Sequence, residues 1–411
     1  MKRLFALAAC LALMATLPAS PKGKGITPTT LANEGNGFSL TSESYDATES
    51  FVYTAQVNFV SGNAAGLAFG AEEGDHYFVF NIDRHENHTK LLYFHKDGGN
   101  MVASEYRSEY YMGNDKVTQS ELNVINPKVA ACPEFHLKLV VTVEEGKAYA
   151  EFFIDNIKRF GVDSKIDLNA LSPDFTYQGG KIGYNVFAAE ARFSEVNVGT
   201  SDYAYYTEAY RNQYHYSQYA HWNNDPNGLV YYKGYYHMYY QTHPYSQYWD
   251  HMYWGHARSR DLVHWEELPY ALFPDDGNMG VGLGVGYAWS GIAMVYHPGM
   301  SADIDAKNWF PNGEGEGLLG YFTRDGAAQD QVIITSDDGG MTWVKRQHIS
   351  QYIVHPGEKI DCRDPSVFPL MKDGEGKTTL WGMALSGAND NHFWFLTSTN
   401  LLDWDLGRQY Y

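Results

Sequence analysis

Cysteine is nearly absent from this chain: Cys10, Cys132 and Cys362 are the whole complement in 411 residues. Cys10 falls in the leader described below, which leaves two distant thiols. That excludes a disulfide framework, and both are expected to be small buried hydrophobes. Positive charge is also scarce. Lys and Arg number 30 against 49 Asp and Glu, a formal charge of -19. No Lys/Arg-rich block occurs, so the basic footprint that phosphate backbones require is missing and a nucleic-acid partner is excluded. Beyond the amino terminus no apolar run is long enough for an integral membrane span.

What is present begins with an export signature. Lys2 and Arg3 precede an apolar stretch from Leu4 to Leu17, and small residues follow at Ala19 and Ser20. Residues 1–20 are expected to be a signal peptide. Leu7-Ala8-Ala9-Cys10 leaves lipoprotein processing open as a second reading. The expected location is outside the cytoplasm: periplasmic, extracellular or lipid-anchored at the cell surface of a bacterium.

Residues 21–37, rich in Pro, Thr, Gly, Lys and Asn, are expected to be a linker. From residue 38 to about 200 the pattern is one of short strands and turns. Phe51 to Phe59 alternates with period two, and Asp97-Gly98-Gly99 and Glu145-Gly146 supply turns. With 16% aromatic residues and no helical period, this segment predicts an antiparallel β-sandwich. From residue 203 to 411 a spaced repeat appears. Ser259-Arg260-Asp261 precedes Trp265, Ser336-Asp337-Asp338 precedes Trp343, and Ser398-Thr399-Asn400 precedes Trp404. Each follows a strand-like run. Polar side chains that bond turn backbone, with a Trp to pack on the strand below, suit a hairpin repeated once per propeller blade. About three blades fit. The fold class expected is therefore all-β, a sandwich followed by part of a propeller.

The first strand of each blade lines a propeller's channel, so residues at those starts converge. They read Trp222-Asn223-Asn224-Asp225-Pro226-Asn227-Gly228, Trp289-Ser290-Gly291 and Arg363-Asp364-Pro365. Proline after Asp225 and Asp364 restricts the backbone of each aspartate. Converging carboxylates suit glycoside hydrolysis, in which one attacks the anomeric carbon and a second carboxylic acid protonates the leaving oxygen.

These motifs resemble glycoside hydrolase family 32, the β-fructofuranosidases that include invertases, inulinases and levanases. The match continues through Gln241-Thr242-His243-Pro244, Trp254-Gly255-His256-Ala257 and Trp289-Ser290-Gly291-Ile292-Ala293. Asn223 and Ile292 depart from the family's usual residues. The resemblance covers about residues 205 to 411. It implies a five-bladed propeller and a fructan (levan or inulin) or sucrose substrate, cleaved with retention. It implies Asp225 as nucleophile and Asp364 as transition-state stabiliser. It also implies Asn224, Gln241, Trp249, Trp289, Ser290 and Arg363 as substrate-binding residues. The amino-terminal segment is similar to fructan-binding modules.

The family's general acid is a Glu followed by Cys at the start of the blade after Arg-Asp-Pro. Residues 365–411 hold only Glu375, in an Asp-Gly-Glu-Gly turn. The chain is therefore expected to be a fragment lacking its acid, and weakly active or inactive alone. A non-catalytic fructan-binding protein is the alternative. Ser336 to Trp343 also fits the sialidase hairpin repeat, but an arginine cluster is missing. Seven histidines between His215 and His264 show no ligand spacing, and no metal or cofactor is expected. The oligomeric state stays open.

Overall fold

The computed structural model describes residues 24–410, apart from 74, 164, 172–174, 201–205, 207, 213, 277–284, 350–353, 356, 357, 360 and 388–392, with residues 354, 355, 358, 359 and 406–410 described as backbone alone. The expected leader lies outside them. The chain is nearly all β.

The amino-terminal unit contains β1 (Lys24–Ile26), β2 (Thr29–Asp46), β3 (Phe51–Glu72), β4 (His76–Asp83), β5 (His88–Asp97), β6 (Asn100–Tyr110), α1 (Gln119–Ala131), β7 (Glu134–Glu144), β8 (Lys147–Ile154), β9 (Ile157–Arg159), β10 (Ile166–Asp167) and β11 (Gly179–Gly199). Strands β3 and β11 serve two layers. The first half of β3 pairs with β7 and its second half with β4, while β11 runs antiparallel along its length. The continuous sheet folds over one core, in which Phe80 of β4 lies 4.9 Å from Phe152 of β8. Gly62 marks the bend in β3, with φ +87° and space for no Cβ: one would lie 2.1 Å from the Ala188 carbonyl oxygen.

Two expectations need correcting here. Residues 24–37 are not a linker, because β1 and β2 pair with β11 from Lys24 onward. Backbone pairing on an available edge overrides a composition poor in strand formers. The unit also contains a helix. Thr118 caps α1, its Oγ1 accepting from the Glu121 N–H at 3.2 Å while the Glu121 carboxylate accepts from the Thr118 N–H at 2.9 Å. Thr-x-x-Glu is a capping-box signature, followed by the buried Leu122, Ile125 and Val129 at helical spacing.

Three four-stranded antiparallel meanders follow. Blade one is β12 (Trp222–Tyr232), β13 (Tyr235–His243), β14 (Tyr253–Ser259) and β15 (Trp265–Leu272). Blade two is β16 (Tyr287–Tyr296), β17 (Gly317–Asp325), β18 (Gln329–Ser336) and β19 (Val344–His348). After a small hairpin of β20 (Val354–His355) and β21 (Glu358–Lys359), blade three is β22 (Cys362–Lys372), β23 (Thr378–Gly387), β24 (Phe393–Ser398) and β25 (Asp405–Tyr410). The hairpin repeat acts as its residues suggest: Ser259, Ser336 and Ser398 Oγ each accept from turn N–H groups. Trp343 and Trp404 are buried beneath theirs, whereas Trp265 is only half-buried. Cys132 and Cys362 are buried and free.

The two units share an apolar boundary, since Tyr253 and Phe273 of blade one complete the amino-terminal core. Ion pairs cross it from Lys116 to Asp337 (2.8 Å), Lys345 to Glu121 (3.0 Å) and Arg258 to Asp163 (2.6 Å).

Candidate active site

The first strands of successive blades touch, β12 against β16 and β16 against β22. All three carry the same irregularity. Between Asn223 and Pro226, Ala288 and Gly291, and Arg363 and Ser366, three steps on the first strand oppose two on its neighbour. Each is a β-bulge, which re-aims the side chains it carries. The bulged residues are Asn224-Asp225, Trp289-Ser290 and Asp364-Pro365, so the motif residues sit where the ladder is broken. Pro226 and Pro365 fit there because a bulge leaves an N–H without a ladder partner.

The three bulges open into one cleft of about 210 Å³, lined by Asn224, Asp225, Gln241, Trp249, Trp289, Ser290, Arg363 and Asp364. These are the eight residues singled out from the sequence. Larger recesses exist, including one of about 410 Å³ at the junction of the units. Its Glu121, however, is already paired with Lys345.

Asp225 faces solvent and accepts a hydrogen bond from Ser290 Oγ at 2.9 Å. Asp364 takes a left-handed φ of +60°, a region that Asp tolerates better than most residues. Its N–H donates to Thr323 Oγ1 at 3.0 Å. The Thr323 hydroxyl donates to Gln331 Oε1 (2.9 Å), and Gln331 Nε2 donates to the Cys362 carbonyl (2.9 Å). A buried Thr–Gln pair thus holds the backbone on both sides of Arg363. Partial desolvation raises the Asp364 pKa; Arg363 opposes that and the charge of Asp225 adds to it. Much of Asp364 remains exposed by area, so screening by water limits the size of this effect.

The other lining residues form two walls. The Arg363 guanidinium lies 5.3 Å from the Trp289 ring centre, and Trp289 meets Trp249 edge to face at 5.9 Å. Trp249 is 54% exposed, which leaves an aromatic surface for a sugar's apolar face. Gln241 is buried and its Nε2 donates to the Ala288 carbonyl at 3.0 Å, tying blade one to the second bulge. Asn224 Oδ1 accepts from Trp222 Nε1 at 2.7 Å. Among the described residues, Asp225 and Asp364 are the carboxylates of this cleft. Glu375 lies in the turn after β22, at the far end of that strand from Asp364.

Sequence reasoning missed Thr323 and Gln331. Their signal was a run of polar residues, Thr323-Arg324 and Gln329-Asp330-Gln331, at the facing ends of two strands that are otherwise largely apolar, where burial demands partners.

Residues 215–410 match the sequence profile of the glycosyl hydrolases family 32 N-terminal domain. This part of the chain belongs to glycosyl hydrolase family 32. The family 32 region is 40% identical over 215 residues to a levanase of Bacillus subtilis (strain 168), an alignment covering 52% of this chain and 28% of that protein. It is 36% identical over 211 residues to a fructan beta-fructosidase of Streptococcus mutans, covering 51% and 13%. The chain thus spans less than a third of either relative. A solved exo-inulinase from Aspergillus awamori aligns at 30% identity with a TM-score of 0.42, covering 50% of this chain and 41% of that one.

Proposed function

We propose that the cleft binds a β-fructofuranosyl unit of a fructan or of sucrose and transfers it to water through a covalent intermediate. The observation that carries this reading is the meeting of Asp225 and Asp364, from bulges of separate blades, in one cleft with an aromatic wall. Asp225 attacks the anomeric carbon. Ser290, donating to one carboxylate oxygen, leaves the other free to do so. Asp364, on a backbone fixed by Thr323, accepts sugar hydroxyls in charge-assisted bonds that strengthen as positive charge develops on the ring. Arg363, Asn224 and Gln241 supply further polar contacts, and Trp249 and Trp289 the stacking surface. Export of the protein suits a polymeric substrate met outside the cytoplasm.

Leaving-group protonation needs a third acid, and among the described residues none lines the cleft. The 411-residue chain is therefore expected to turn over natural fructosides slowly. That same observation favours a second reading, fructan binding without turnover. An activated aryl β-fructofuranoside separates the two, because its leaving group departs with little protonation. Mass spectrometry should find a fructosyl adduct on the peptide containing Asp225, absent in Asp225→Asn. Binding of fructooligosaccharide with no adduct supports the binding-only reading; neither adduct nor binding refutes both.

A further inference from the structure

Trp249 stands on a loop, residues 244–252, that joins β13 to β14. Residues 247–250 of this loop are exposed. Within blade one it is held by the Tyr248 carbonyl against His243 Nδ1 (2.9 Å) and by the Ser246 carbonyl accepting from the Trp222 N–H (2.9 Å). Blade two holds its end, the Met252 carbonyl accepting from the Ala288 N–H (3.1 Å), and two further anchors belong to the amino-terminal unit. Tyr245 packs against the core of that unit. Two residues beyond Trp249, His251 Nε2 lies 3.1 Å from the Lys128 ammonium, in the last turn of α1.

The chemistry of the His251 contact is specific. Its Nδ1 faces the Asp250 carboxylate at 2.8 Å, so that nitrogen carries the proton and Nε2 is left to accept from Lys128. Burial, and then the Lys128 charge, push the imidazole pKa down and keep the ring neutral. The Tyr287 ring meets it edge to face at 4.5 Å. Tyr287 lies two residues before Trp289, the other aromatic wall of the cleft. The contact therefore braces both walls at their bases.

We propose that the amino-terminal unit is a positioning element of the sugar cleft, in which Lys128 acts through His251 to hold the Trp249 loop against Trp289. This rests on the reading of Trp249 as a sugar platform. Ordering an exposed loop costs backbone entropy at each residue. A loop braced before the sugar arrives does not pay that on binding, so the brace appears as affinity. Lys128 and His251 are positioning residues under this proposal, and the two units are one functional body.

The test uses the full chain with Lys128→Met, Lys128→Arg, His251→Ala and Trp249→Ala variants, each checked by circular dichroism. Hydrogen exchange read by mass spectrometry should show faster exchange in residues 244–252 of Lys128→Met, with β3 and β17 unchanged. Lys128→Arg, which can still donate to Nε2, should restore protection. Calorimetric titration with a levan-type fructooligosaccharide should show roughly fivefold to tenfold weaker binding in Lys128→Met, the size of one ordinary hydrogen bond. If Lys128→Met fails to fold, His251→Ala severs the same contact and decides. Unchanged exchange and affinity in the severed variant, with Trp249→Ala weakened, would overturn the proposal and leave the site intact. Absence of any effect in Trp249→Ala would refute the sugar-platform reading itself.

Discussion

Glu267 offers a quantitative test of how the junction between the units is built. Its carboxylate accepts from Tyr206 Oη at 3.0 Å and from the Tyr219 N–H at 3.2 Å, with Tyr240 Oη at 3.5 Å. Burial pushes its pKa up to about 7 from an ordinary value of 4.5; the tyrosine donors pull it back, and the nearby charge of Asp155 adds to the rise. A carboxyl with a folded-state pKa above its unfolded one holds its proton more tightly when folded. Its contribution is whole below about pH 4.5 and is lost as pH rises through about 7. That gap corresponds to at most about 3 kcal/mol, and water reaching the partly exposed side chain lowers it to about 1–3 kcal/mol. Glu267→Gln keeps an acceptor oxygen and cannot ionise. Urea unfolding followed by circular dichroism at pH 5 and pH 8 should show the variant gaining about 1–3 kcal/mol on wild type between the two, while groups common to both proteins cancel. An equal difference at both pH values would mean that Glu267 titrates alike in folded and unfolded chains, refuting the buried-carboxyl account.

Three further outcomes are expected. Asp275→Asn removes the partner of Arg324, whose Nε and Nη2 bond its two oxygens at 2.8 and 2.6 Å with both side chains 1% exposed; chemical denaturation should show a loss of about 3–5 kcal/mol. Thr323→Val leaves the Asp364 N–H without its acceptor and the buried Gln331 Oε1 without its donor; fructooligosaccharide titration should show affinity reduced by about 1–2 kcal/mol, and chemical denaturation a stability loss of about 1–3 kcal/mol. Ser290→Ala frees both Asp225 oxygens to rotate, and the rate of adduct formation from an aryl fructoside should fall roughly tenfold, the equivalent of about 1.4 kcal/mol.

Much of the site was legible because its signals are local. An Asp before Pro, a Trp-Ser-Gly and an Arg-Asp-Pro each fall at the start of a blade, and the hairpin Ser and Trp residues announce where blades lie. Meander topology then brings consecutive starts together with little freedom. The linker expectation for residues 21–37 failed over the described residues 24–37 because composition reports propensity, whereas β1 and β2 exist through pairing with a strand more than 130 residues away. The helix was missed for a different reason: Thr118 and Glu121 carried a local cap signal that a search for alternating strands passes over.

By itself the sequence determined the strand-rich class, the bulged motif residues and the chemistry available to them, since each depends on neighbours a few positions apart. Only the tertiary structure decided that one Thr–Gln pair steadies the strand bearing Asp364, that α1 reaches the Trp249 loop, and that Glu267 is enclosed by tyrosines. Those facts depend on which surfaces meet, and the free energy of such meetings is set by burial and partner geometry that no linear spacing encodes.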